Sequence, residues 1–167
     1  FKAGPDYIDP MFHRQVLGVP SYNLDLFFSG EAQARALLAA HSAGRGPAVL
    51  EGAMGYYDGL GGCTDTASAW HLARATDTPV VLVLRPGSSS LTLAAQVKGL
   101  LAFRAPCQIR GLLLNGCSPM LAQTLAPALT RETGLPVFGC LPKVEGADFS
   151  SRHLGLVAAE EIPELQA

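Results

Sequence analysis

One hundred and sixty-seven residues, 49% of them hydrophobic and 16% charged, suffice for one well-buried globular domain and are too few for two comfortable ones. Twelve Lys and Arg against 14 Asp and Glu give a formal charge of −2 without a basic cluster, which argues against a nucleic-acid or anionic-membrane partner held by charge. Mean hydropathy is +0.24, but apolar runs such as 80–84 and 112–114 are strand-length and far short of a membrane span, so a soluble, cytoplasmic chain is expected.

The opening Phe-Lys-Ala-Gly-Pro-Asp carries neither Met nor an apolar leader, so it reads as neither a signal peptide nor a natural start, and more protein is expected upstream. Residues 4–23, dense in Pro, Tyr, Asp and Gly, read as a long ordered loop of the kind that carries function. From there, stretches of Ala, Leu and Gln at helical spacing predict helices over 30–43, 66–75, 91–102 and 119–133, with Ser29, Asp65, Ser90 and Ser118 as N-caps. Between them, short apolar runs ending in Gly, Pro or Asn predict strands over 48–50, 80–84, 109–114 and 136–139. Each run is too continuously apolar to have a wet face, which favours a parallel sheet covered on both sides and joined by right-handed crossovers. After Pro142 the pattern dissolves into residues 146–153 and an acidic end at 160–164, expected to lead into further protein.

In an open parallel sheet, ligands bind outside the carboxyl ends of the strands. The first run ends in Glu51-Gly52-Ala53-Met54-Gly55-Tyr56-Tyr57-Asp58-Gly59, the third in Asn115 and the fourth in Cys140, Pro142 and Lys143. Two carboxylates, a Gly-rich turn and an amide are thus expected to converge on one edge. Glu51 is either a solvated strand-end acid or, with Gly52, Gly55 and Gly59 permitting close approach, a ligand for Mg²⁺. Asp6 and Asp9, three residues apart and flanked by Pro5 and Pro10, are either Asx-turn caps or paired carboxylates that bind Mg²⁺ or orient a polar substrate. Asp25 is a weaker candidate and reads better as a helix-entry or strand-edge acid.

Several chemistries find no support. His13, His41, His71 and His153 are dispersed, without HxxxH or HExxH. Cys63, Cys107, Cys117 and Cys140 form no CxxC pair, which fits reduced thiols better than a disulfide scaffold or zinc. No GxSxG or catalytic cysteine signature identifies a nucleophile. The three lysines, Lys2, Lys98 and Lys143, stand outside any G-x-x-x-x-G-K-[ST], so these residues contain no phosphate-cradling P-loop.

The motifs FKAGPDYIDPMFH, LEGAMGYYDG, the Ala-Trp-His-Leu-Ala helix before PVVLVL, IRGLLLN, PVFGCLP and RHLGL follow one another as in the amino-terminal domain of the cobyrinate a,c-diamide synthases, a family this chain resembles from residue 1 to about 160. The resemblance implies a three-layer α/β/α fold with a mostly parallel sheet, of the dethiobiotin synthetase-like P-loop NTPase type, lacking its first strand and P-loop. Residues 1–160 would be the ATP-dependent synthetase domain and 161–167 the start of a linker to a glutamine amidotransferase domain. It implies ATP- and Mg²⁺-dependent amidation of the a and c carboxylates of cobyrinic acid in cobalamin biosynthesis, through an acyl phosphate and with ammonia from glutamine. By motif position, Asp6, Asp9 and Glu51 resemble the catalytic carboxylates, Asp6 and Glu51 also the metal ligands. Tyr7, Ile8 and Asp58 resemble substrate-binding residues, and Asn115 and Pro142 nucleotide-binding ones. Oligomeric state is left open, a homodimer included. Arg85-Pro86 stands where the family usually has a small acidic pair, and Gly116 where an Arg is common. Without the P-loop and the amidotransferase the fragment alone is expected to be inactive. Two other readings are an amidase of a related, nickel-containing tetrapyrrole and a P-loop-less, non-catalytic binding or regulatory module.

Overall fold

The computed structural model describes residues 1–144. The expectations for residues 146–164, for the RHLGL motif and for the 161–167 linker lie outside the described residues. The chain divides into two compact units, meeting in sequence between Thr76 and Asp77, and both are built of helices and parallel strands. The expected α/β class stands.

In the first unit, β1 (Lys2–Ala3) pairs in parallel with β2 (Asn23–Leu24), Lys2 opposite Asn23 and Ala3 opposite Leu24. On its other side β1 meets Glu51 in a single parallel bridge, the Glu51 N–H donating to the Phe1 carbonyl at 2.8 Å and the Ala3 N–H to the Glu51 carbonyl at 2.8 Å. Residues 48–50, predicted as a strand, form none; their ladder is reduced to this contact. Ala3, Leu24 and Leu50 face a core with Ala34 of α2 (Gly30–Ser42) and Leu72 of α3 (Ala69–Ala75). Because alternate side chains point to opposite faces, Asn23, Lys2 and Glu51 stand in a row on the other face.

That face is covered by α1 (Ile8–Gln15), a helix inside the segment predicted as a loop. Two local features start it. The Asp6 carboxylate accepts from the Ile8 N–H at 2.9 Å and the Asp9 N–H at 3.3 Å, and Pro10 falls in the first turn, where a missing N–H costs nothing. The third helix begins at Ala69 rather than at residue 66, because Ala67 has φ of +60° and Ser68, not Asp65, accepts from the His71 N–H at 3.2 Å.

The second unit follows the predicted rhythm closely: β3 (Val80–Leu84), α4 (Leu91–Phe103), β4 (Ile109–Asn115), α5 (Pro119–Thr133) and β5 (Val137–Leu141), with strand order β3-β4-β5, all parallel. Ser118 caps α5 by accepting from the Leu121 N–H at 3.2 Å, and Gly134, at φ of +74°, ends it. Leu93, Ala94 and Val97 of α4 and Leu125 and Leu129 of α5 pack on Leu84, Leu112 and Leu114 of the sheet. The expected cover on both faces is met on this one; Val81, Val83 and Phe138 are exposed.

Candidate functional site

The residues between β1 and α1 and the glycine-rich segment after Glu51 enclose a cavity of about 600 Å³ in the first unit. Asp6, Tyr7, Ile8 and Asp58 all line it, with Phe27 and Met54 adding apolar wall. Tyr7, Phe27 and Met54 are exposed, so the lining offers a broad apolar surface edged by carboxylates. Asp25 also lines it and acts as the strand-edge acid the sequence suggests: one oxygen accepts from the Phe27 N–H at 2.8 Å, while the other is buried without a hydrogen-bond partner.

The wall carrying Asp58 is a tight backbone construction. The Asp58 carboxylate accepts from the Gly55 N–H at 3.0 Å, and the Asp58 N–H donates to the Gly55 carbonyl at 3.0 Å. Gly59 closes the next loop by donating to the Thr64 carbonyl at 2.7 Å, and Leu60 donates to that of Thr66 at 2.9 Å. A Cβ at Gly59 would strike both carbonyls. The glycine is therefore required by its own loop before any ligand arrives. Tyr57, stacked edge-on with Tyr56 at 4.8 Å and tilted on buried Trp70 at 6.0 Å, pins the turn to α3.

Asp9 and Glu51 lie off the cavity lining, in a charged cluster under α1. Lys2 joins them: its buried ammonium pairs with the Asp9 carboxylate and with Glu51 Oε1 at 3.1 Å. His13 Nε2 meets Glu51 Oε2 at 2.8 Å, and His13 Nδ1 lies 2.9 Å from the Ser21 hydroxyl. Burial alone would lower the Lys2 pKa; hydrogen bonds and charge from Asp9 and Glu51 outweigh it and hold the ammonium above its ordinary value. Asp6 connects cluster and cavity, since its carboxylate caps the helix that presents Asp9 while its residue lines the cavity.

Lys2, His13 and Ser21 escaped the sequence reading. The available signal was spacing: Asp9 and His13 are four residues apart and share a helix face once 8–15 is read as helical.

Magnesium takes oxygen donors, one or two carboxylates with water and phosphate completing its shell. Asp6, Asp9 and Glu51 offer that donor chemistry. Among the described residues no three His, Cys, Asp or Glu side chains are grouped so that they could hold an ion together.

In the second unit, Asn115 closes β4 opposite Leu141 of β5, and Pro142 follows directly, so both stand at the carboxyl end of adjacent strands. Arg85, just after β3, approaches the same edge; a Cβ on Gly116 would lie 3.8 Å from its Nε. The two groups of predicted residues thus belong to different units, Asp6, Tyr7, Ile8, Asp9, Glu51 and Asp58 to the first, Asn115 and Pro142 to the second.

The chain is 42% identical to the cobyrinate a,c-diamide synthase of Clostridium tetani over 99% of its length, and 43% and 42% identical, over the same share, to those of Thermoplasma acidophilum and Gloeobacter violaceus. It is a homologue of part of the cobyrinate a,c-diamide synthases. It spans about 37% of the length of these relatives. No family model matches the chain, and no solved structure matches it significantly. Among the described residues no helix is long and apolar enough to cross a membrane.

Proposed function

We propose that this chain contributes the carboxylate-activating site of a cobyrinate a,c-diamide synthase, an amidating ligase that uses ATP, magnesium and glutamine-derived ammonia in cobalamin biosynthesis. The observation that carries the reading is the juxtaposition, in one unit, of a carboxylate-edged apolar cavity with the Asp9, Lys2 and Glu51 cluster, in a chain homologous to those synthases. A corrin is a large, flat, mostly apolar ring bearing carboxylate side chains. Exposed Tyr7 and half-buried Ile8 in the cavity lining suit its ring, and Asp58 suits a polar substituent.

Transfer of a phosphoryl group to a substrate carboxylate is chiefly a matter of positioning and of neutralising charge on the moving group. Asp6 and Glu51 are the residues that would hold magnesium, which supplies charge neutralisation at the phosphates. Asp9 would orient the reacting carboxylate through the shared ammonium of Lys2. Asn115, whose side-chain amide both donates and accepts, would read the adenine base, with Pro142 beside it.

The test is Glu51→Gln and Asp9→Asn in the full-length protein, assayed for ATP-dependent amidation of cobyrinic acid. Glu51→Gln is expected to abolish turnover by about 100-fold or more while the fold is kept. Asp9→Asn is expected to lower kcat more than it raises KM for cobyrinic acid. Unchanged turnover in Glu51→Gln would remove that residue from the mechanism, and an Asp9→Asn effect confined to KM would recast Asp9 as a binding residue.

A further inference from the structure

We propose that His13 is a positioning residue for Glu51, acting with Lys2 as the second jaw of a clamp on the carboxylate and itself seated by Ser21. This rests on the reading of Glu51 as a member of the amidation site.

A glutamate side chain has three rotatable bonds, and the Glu51 carboxylate is 45% exposed, so one contact would leave it free to turn. Here each oxygen has its own partner, Lys2 on Oε1 and His13 on Oε2. The two partners come from different elements, Lys2 from β1 and His13 from α1, so their directions are set independently. A carboxylate can only accept, so a hydrogen lies on His13 Nε2, while Nδ1 at the other side of the ring meets the Ser21 hydroxyl at 2.9 Å. Ser21 is 3% exposed and cannot swing away. Its carbonyl is in turn held by Arg14, whose guanidinium donates at 2.9 Å. The chain of support runs inward from the exposed acid to a buried hydroxyl, the arrangement that fixes a reactive group within the tolerance catalysis needs. The register explains why these residues meet: Asn23 stands opposite Lys2 on one side and Glu51 bridges to Lys2 on the other, and Ser21 precedes Asn23 by two residues in the segment that leads into β2.

The experiment uses the full-length protein with ATP, magnesium, cobyrinic acid and ammonia. His13→Leu is expected to lower kcat about 10- to 100-fold, the scale of an ångström-sized misplacement, with KM for cobyrinic acid held within about twofold. His13→Gln keeps an N–H near the Nε2 position and is expected to recover kcat to within about fivefold of the parent. Adding His13→Leu to Glu51→Gln is expected to cost nothing further, because a residue that acts only through Glu51 has nothing left to position. Independent losses in the double variant, no recovery in His13→Gln, or a change confined to KM would overturn the proposal.

A crystal structure of His13→Leu supplies a readout apart from turnover: Glu51 is expected to rotate away from its observed orientation, and an unmoved Glu51 would end the clamp. Should His13→Leu fail to fold, Ser21→Ala carries the same measurements, with a smaller loss of kcat and a displaced imidazole expected. If the parent protein does not amidate cobyrinic acid, the functional reading fails while the orientation of Glu51 in the variants still decides the clamp.

Discussion

At the scale of single residues, Lys2 keeps only 7% of its side chain exposed, while Asp9 and Glu51 keep 31% and 45%. The ammonium is therefore desolvated and its partners remain half in water. Removing it leaves two carboxylates facing one another, with His13 on Glu51 as partial compensation. Lys2→Met, which keeps most of the volume, is expected to destabilise the protein by about 1–3 kcal/mol, below the range for fully buried pairs because the acids can rehydrate. Urea midpoints of the variant and its parent check this. The sign of the pH dependence follows from the raised folded pKa: the ion pair contributes fully below the ordinary lysine value of 10.5, and the contribution is lost as pH rises through the folded value. Such a residue was hard to find from the sequence. Lysine is usually solvated, and nothing in Phe-Lys-Ala says that this one sits in the middle of a three-way contact between β1, α1 and Glu51.

At the scale of elements, glycines that look alike in sequence differ in what they permit. Gly59→Ala would push a methyl group into the carbonyls of Thr64 and Thr66, which are backbone and are fixed by the loop's own hydrogen bonds. A loss of about 1–3 kcal/mol is expected, together with weaker ligand binding at the cavity wall, measurable by denaturation and titration of the same variant. Gly111→Ala meets first the ring of exposed Phe138, which can swing outward, and is expected to cost less than about 1 kcal/mol. The elements legible in the sequence were those long enough to show a period. Strands β3, β4 and β5 and helices α2, α4 and α5 fall within a few residues of the predicted bounds, although Ser29 and Ser90 occupy the N-cap positions of α2 and α4 without accepting a cap bond and Ser118 alone of the three caps its helix. β1 and β2, two residues each, are shorter than any hydrophobic pattern can reveal. α1 was hidden by Pro10 and by a mixed Ile-Asp-Pro-Met-Phe-His-Arg-Gln composition, and with it went the pairing of Asp9 with His13. Of the candidate site, Asp6 and Asp58 were legible as acids beside turn-forming Pro and Gly, while Tyr7 and Ile8 came only with the family resemblance. The cluster that holds Glu51 was not, because it depends on register between segments about fifty residues apart.

At the scale of the whole molecule, each unit carries one surface carboxylate that ties helices or neighbouring side chains together. In the first, hydrogen bonding by His71 foremost, then by Arg35, holds Glu31 below its ordinary pKa of 4.5; in the second, Lys98 and then Arg131 do the same for Glu132. A depressed carboxylate stabilises the fold above its unfolded pKa and ceases to do so as pH falls through the folded value. Melting temperature is therefore expected to fall on acidification below about pH 4.5, and the Glu31→Gln, Glu132→Gln double variant to show a flatter acid limb, with the difference shrinking at high salt. The two-residue ladder of β1 and β2 has a consequence for how the first unit reaches this state. A pairing one residue out of step would turn every side chain of β1 over and drive the Lys2 ammonium among Leu24, Ala34 and Leu72, with no acid in reach. The charge at the site would thus also weigh against misalignment, since in a two-residue contact the burial of an unpaired ammonium separates one alignment from the next.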